Sequence, residues 1–255
     1  IRSIKELGEI DLIQKACDIT KSGFNRILKF VNPGIFEYNV EAELIHEFRN
    51  QQSKGFAYEP IIAAGINACC LHYNINNSIC KDNEMILMDV AAEFANYKSD
   101  MTRTIPVDGK FTKRQLEIYN AVLNVKNKAT NILRPGITIN EYHKEVGKIM
   151  ESELIEIKLL DRHDVKKQNP KNPLFKKYFM HGTSHHLGLD VHDVGNFYVD
   201  LSPGNVFTVE PGIYIREENL GVRLEDNILV GEDKNYNLMK NIPILPEEIE
   251  NIMNN

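Results

Sequence analysis

A chain of 255 residues, 42% hydrophobic and 26% charged, holds enough apolar material for one sizeable core or two small ones. Its formal net charge of −6, with no long block of like charge, argues against nucleic acid as a partner. No apolar run reaches the length of a membrane span.

The opening, IRSIKELGEIDLIQKA, is amphipathic and charged, unlike a signal peptide. A chain that starts at Ile1 reads as a processed product or an excised domain. Apolar residues Ile10, Ile13, Ala16, Ile19, Phe24 and Ile27 recur at helical spacing and predict one long helix over residues 4–30, stopped by Asn32-Pro33-Gly34. A second helix is expected over 39–50. Strand-like segments follow at 61–65, 69–73, 85–93 and 97–107. Thr112 and Gln115 form a capping box that opens a third helix, running to Leu133 and stopped by Arg134-Pro135-Gly136. A fourth helix covers 139–154. Residues 162–177 are polar, hold two prolines and read as an inserted surface loop. Cys17, Cys69, Cys70 and Cys80 form no CxxC pair and read as the reduced thiols of a cytoplasmic protein.

The order of these elements repeats. Each half reads helix, Pro-Gly stop, helix and strand hairpin, which predicts two alike halves with a site in the crevice between them. The second half also carries FMHGTSHHLGLDVHDVG, residues 179–195, with four of the chain's eight histidines: His181, His185, His186 and His192. Imidazole is a common metal ligand and general base near neutral pH.

Each hairpin supplies carboxylates. In MILMDVAAEFANYKSDMTRTIPV, a turn centred on Phe94-Ala95 places Asp89 opposite Asp100. Directly opposed like charges are destabilising and need a cation or a shared proton. In NVFTVEPGIYIREENLGVRLEDNILV, Glu210 and Glu225 lie equally far from a turn near Glu217-Glu218 and so also face one another. Asp226, next to Glu225, points to the other face. Four carboxylates with one histidine make an oxygen-rich set suited to Mn²⁺ and similar ions, and a pair of such ions can activate a water near neutral pH.

These motifs resemble the pita-bread-fold metallopeptidases, specifically the Xaa-Pro aminopeptidase (aminopeptidase P) group. HYNIN at His72, the two hairpins, HGTSHHLGLDVHDVG and VFTVEPGIYI stand in the family's order over nearly the whole chain. The resemblance implies an α+β pita-bread (creatinase/aminopeptidase) fold. Its curved, mostly antiparallel sheet is flanked by helices in two pseudo-symmetric halves. Residues 1–255 would form the catalytic domain, without the N-terminal domain that family members carry. The implied metal ligands are Asp89, Asp100, His185, Glu210 and Glu225, with Asp100 and Glu225 bridging two divalent ions, Mn²⁺ first and Co²⁺ or Zn²⁺ as alternatives. His72, His181, His192 and Arg223 match substrate-site positions.

The implied reaction cleaves the bond between an N-terminal residue and a following proline. Glu210 would move the proton, His192 would stabilise the oxyanion, and His181 and His72 would orient the peptide. Ser184 in HGTSH favours aminopeptidase P over prolidase, the Xaa-Pro dipeptidase, which usually has glycine there. Methionine aminopeptidases lack the LDVHDVG block. The complete ligand set argues against a non-catalytic peptide-binding module and against a metal-free creatine-type amidinohydrolase. A homodimer is expected of the full-length protein. His186 is expected to point away from the site, and His46, His143 and His163 to lie on the surface.

Overall fold

The computed structural model describes residues 2–255. The first helix, α1 (Leu7–Leu28), buries Ile13, Ala16, Ile19, Phe24 and Ile27, five of the six apolar residues that predicted it. It packs on α2 (Glu37–Asn50). Gly23 makes the approach possible: a Cβ there would stand 2.6 Å from the Phe48 ring.

A three-stranded antiparallel sheet follows, ordered β1 (Ile61–Ala64), β2 (Met85–Asp89), β5 (Thr102–Pro106). Its hairpin ends in a two-stranded tip, β3 (Glu93–Phe94) and β4 (Tyr97–Lys98). Residues 69–73, expected as a strand, are not one. A 3₁₀ turn occupies Gly65–Cys69 and an irregular loop continues to Ile79. The reason is Glu37, fully buried at the start of α2. Its carboxylate accepts from the backbone N–H groups of Ala64 (2.8 Å) and Ser78 (2.9 Å), from the Asn67 amide and from the Tyr73 hydroxyl. Four donors folded onto one side chain hold this segment as a loop.

The second half repeats the order. Helix α3 (Lys113–Ile132) opens on the expected box, with Thr112 accepting from the N–H of Gln115. It packs on α4 (Ile139–Glu156), which is likewise boxed by Thr138 and Glu141. The inserted segment 162–177 holds the short helix α5 (Arg162–Lys167) and a 3₁₀ turn, neither with a buried residue. A second antiparallel sheet joins β6 (Val206–Val209), β9 (Asp226–Leu229) and β10 (Tyr236–Asn237), and its hairpin tip is β7 (Gly212–Ile215) with β8 (Leu220–Arg223). Residues 183–187 lie antiparallel along β6, as β1 lies along β2. Helix α6 (Pro246–Met253) closes the chain. Among the described residues no helix is long and apolar enough to cross a membrane.

The two hairpins treat the expected registers differently. The second matches: Gly212 pairs Arg223 and Val209 pairs Asp226, which sets Glu210 opposite Glu225. The first is displaced. Its turn is Ala95-Asn96, both in the left-handed region (φ 50° and 71°), and Asp89 pairs Thr102 rather than Asp100. A two-residue turn with both φ positive matches the strand twist better than one placed a residue earlier. The slip amounts to two residues on the partner strand, and side chains alternate with period two, so Asp89 and Asp100 still face the same cavity.

Asp226 faces away from Glu225, as expected. It is buried against Arg103 (2.7 Å) and Lys126, with Asn237 donating to its second oxygen at 2.7 Å. Burial alone would raise its pKa, but Lys126 and Arg103 bring it below the ordinary value of 3.8. A carboxylate depressed in the folded state contributes stability above its unfolded pKa and loses it as pH falls through the folded one. Asp226→Asn, which strands two buried cations, is expected to cost about 3–5 kcal/mol near neutrality. The gap to the parent protein should narrow below about pH 4 in urea unfolding followed across pH.

Candidate metal centre

Around the acids, backbone groups bind neighbouring segments, and some of these ties cross the halves. Pro211 has no N–H to give the second ladder. The N–H of Glu210 donates to Thr183 O (2.8 Å) and that of Glu225 to Thr102 O in the first half (3.0 Å). Asn227 returns the tie: its Oδ1 accepts from the N–H of Asp100 (3.0 Å) and its amide donates to Asp100 O (2.7 Å). These bonds bring acids from both hairpins to one wall of a cavity of about 530 Å³.

Within that wall Asp100, His185 and Glu225 each offer a ligand atom within 4.8 Å of the others. His185 Nε2 lies 3.3 Å from Asp100 Oδ2 and 3.6 Å from Glu210 Oε1. Its Nδ1 donates to the His186 carbonyl at 3.0 Å, which turns Nε2 to the carboxylates. Glu225 accepts from Thr102 Oγ1 at 2.7 Å. Asp89 stands one step apart, held by the Tyr58 hydroxyl at 2.5 Å and by Arg223 Nη2 at 2.6 Å.

Arg223 extends the network. Its Nη1 donates to the Tyr214 hydroxyl (2.9 Å), which donates in turn to His181 Nε2 (2.8 Å). His181 Nδ1 donates to Gly182 O (2.7 Å), so both ring nitrogens are engaged within the protein. Burial, then the charge of Arg223, lowers the His181 pKa to about 3, and the ring is neutral. His192 packs edge-on against His185, ring centroids 4.2 Å apart, and with His72 it lines the cavity at its exposed side.

The acids shift together. Burial raises Glu210 to about 7 despite the opposing charges of His185 and Arg223. Burial, then the charges of Asp100, Glu210 and Asp89, pushes Glu225 far up, and Asp89 is raised by burial against the pull of Arg223. Burial alone would lower His185, yet the hydrogen bond and charge of Asp100 take it to about 9. A buried set that holds protons this firmly for want of countercharge is suited to cations of higher charge, and its oxygen-rich composition suits hard divalent ions. The residues fit a metal centre.

All five expected ligands and all four expected substrate-site residues line this one cavity. His186 turns away as expected, buried against Phe207, and His46 and His163 are exposed. His143 corrects the expectation. It is half-buried, lines the cavity and places Nε2 3.2 Å from Ser184 O, because the α4 face that bears it covers the HGTSH segment. Tyr58, Tyr214 and Thr102 were not anticipated either. A signal existed for Tyr214, since strand alternation from Glu210 carries residues 212 and 214 to the same face. Tyr58 lies in irregular chain with no periodicity to reveal it.

Comparison with known proteins finds relatives along nearly the whole chain. The model of metallopeptidase family M24 matches residues 11–232. The chain is 40% identical to the Xaa-Pro aminopeptidase of Escherichia coli over 99% of its own length and 60% of that protein's. It is 35% identical to human Xaa-Pro aminopeptidase 3, over 99% of this chain and 51% of the relative. The chain thus spans about half to three-fifths of these relatives. A zinc-substituted E. coli aminopeptidase P in complex with product superposes with a TM-score of 0.92 at 39% identity, over 99% of this chain and 60% of that one.

Tyr58 stays protonated, because burial and then the charges of Asp100, Asp89 and Glu225 push its pKa far up, so it remains a donor to Asp89. Tyr58→Phe is expected to weaken divalent-metal affinity about 10- to 100-fold with little change in fold. Calorimetric titration of the metal-stripped protein measures it.

Proposed function

This chain belongs to metallopeptidase family M24 and has its pita-bread fold, and from that membership we propose that it is the catalytic domain of a dinuclear-metal aminopeptidase. The substrate would be a peptide with proline in second position, cut between the first residue and that proline. The observation that carries this reading is the single cavity wall holding Asp89, Asp100, His185, Glu210 and Glu225. The names of its 40%-identical relatives support the substrate class. Asp89, Asp100, His185, Glu210 and Glu225 would together hold the two ions. Manganese suits the oxygen-rich set, and the zinc-substituted neighbour supports zinc as an alternative. When bound, the ions supply Lewis acidity toward the scissile carbonyl and an acidified water.

The chain's own residues supply the rest. Glu210, on the cavity wall 3.8 Å from His181, is placed to take the water's proton and deliver it to the proline nitrogen, a poor leaving group unless protonated. His192, at the open side of His185, would donate to the oxyanion. His72 faces it as the outer wall. His181, with both nitrogens engaged, would shape the pocket and hold Tyr214. Arg223 orients Asp89 and opposes the upward pull of burial on its pKa. The four free cysteines suit a cytoplasmic setting, and a homodimer of the full-length protein remains part of the proposal.

The test is cleavage of Xaa-Pro-Xaa tripeptides against Xaa-Pro dipeptides by the manganese-loaded protein. Release of the first residue mainly from tripeptides is expected, whereas preference for dipeptides would assign a prolidase. Asp100→Ala should lose metal and activity yet fold. In chelator its thermal midpoint should exceed that of the parent, because one of four mutually repelling acids is gone. Proline-directed cleavage retained by that variant would sink the assignment.

A further inference from the structure

The LDVHDVG block contains an ion pair that the metal chemistry does not use. Asp193, the neighbour of His192, is paired with Lys5 of the N-terminal segment at 3.0 Å, and both side chains are only 1% exposed. Lys5 Nζ also donates to Arg2 O (2.7 Å), while Arg2 reaches Asp193 and Asp190 from outside. The segment is itself anchored: the N–H of Lys5 donates to Gly204 O (2.8 Å) and Asn205 donates to Ser3 O (2.7 Å).

On the loop side, the N–H of Asp193 donates to His186 O (2.9 Å), closing the chain between metal-side His185 and cavity-side His192 into a ring. Gly188 accepts from the N–H of Lys98 (2.8 Å) and packs under the pair so tightly that a Cβ would stand 2.2 Å from Asp193 Oδ2. Burying two charges is a poor source of stability, since desolvation offsets their attraction. What such a pair does provide is a fixed, directional anchor next to a residue whose position matters.

We propose that Lys5 and Asp193 are positioning residues, which hold His192 against His185 at the geometry the substrate side of the site requires. The first half of the chain thereby sets a residue of the second half's catalytic loop. This rests on the reading of His192 as a substrate-side group.

The test is a double-mutant cycle on the metal-loaded protein with an Xaa-Pro-Xaa tripeptide. Asp193→Asn and Lys5→Met, two independent variants should one fold poorly, are each expected to lower kcat/KM about 10- to 100-fold. Metal content should be unchanged, and Lys5→Arg should recover most of the loss. In a His192→Ala background either change should move kcat/KM by less than about twofold, the limit of ordinary additivity. Equal losses in both backgrounds would mean a merely structural pair and overturn the proposal, as would no loss at all.

The histidine ring resonances give a second readout that does not depend on turnover. The His192 Cε1–H signal, assigned by its loss in His192→Ala, should shift or broaden in Asp193→Asn while those of His46 and His163 stay in place. An unmoved His192 signal would overturn the anchoring even if the peptide were not the substrate. Absence of tripeptide cleavage with a shifted His192 signal would instead fail the functional reading alone.

Discussion

Carboxyl groups from both halves of the chain are held together out of water, and much of the structure exists to make that arrangement tolerable. The backbone enforces it. Asn227 binds Asp100 in both directions, and Glu225 donates its N–H to Thr102 of the other sheet, so the acids cannot drift apart without breaking bonds between the halves. Burial, together with repulsion only partly met by Arg223 and His185, is why Glu210 and Glu225 titrate above ordinary carboxylates. A protein that keeps such a set buried gives up stability at that point and is ready to recover it on binding cations.

Two adjacent acids show how the fold sorts its charges. Glu225 and Asp226 differ by one strand position and therefore by one face. Asp226 meets Arg103 and Lys126 in a closed network and is neutralised by the protein itself. Glu225 meets other acids and a threonine hydroxyl in an open cavity. The first is fixed structure, and the second is a site left for a ligand. The four histidines of 179–195 are divided in the same way. His185 turns to the acids and His186 packs on Phe207. His181 is tied down by Tyr214, and His192 is held at the open side.

The outer partners matter as much as the five expected ligands in giving the site one geometry. Tyr58 and Arg223 hold Asp89, Thr102 holds Glu225, and the His186 carbonyl orients the ring of His185. They come from both halves, so neither half could assemble the centre alone.

What could be read from the chain by itself follows from short-range rules. Helical periodicity and the Thr112–Gln115 box located the long helices, since buried stripes and caps are local in sequence. Strand alternation and equal distance from the turn set Glu210 opposite Glu225. The same reasoning missed Asp89 by two residues, because a left-handed Ala95-Asn96 turn is not announced by a glycine. It survived because a slip of two preserves the face. Tyr58, the inward turn of His143, the loop folded around Glu37 and the Lys5–Asp193 anchor were settled only by tertiary structure. Each joins residues far apart in sequence, with Lys5 and Asp193 separated by 188 positions. No pattern along the chain records which distant groups meet once the two halves close on one another.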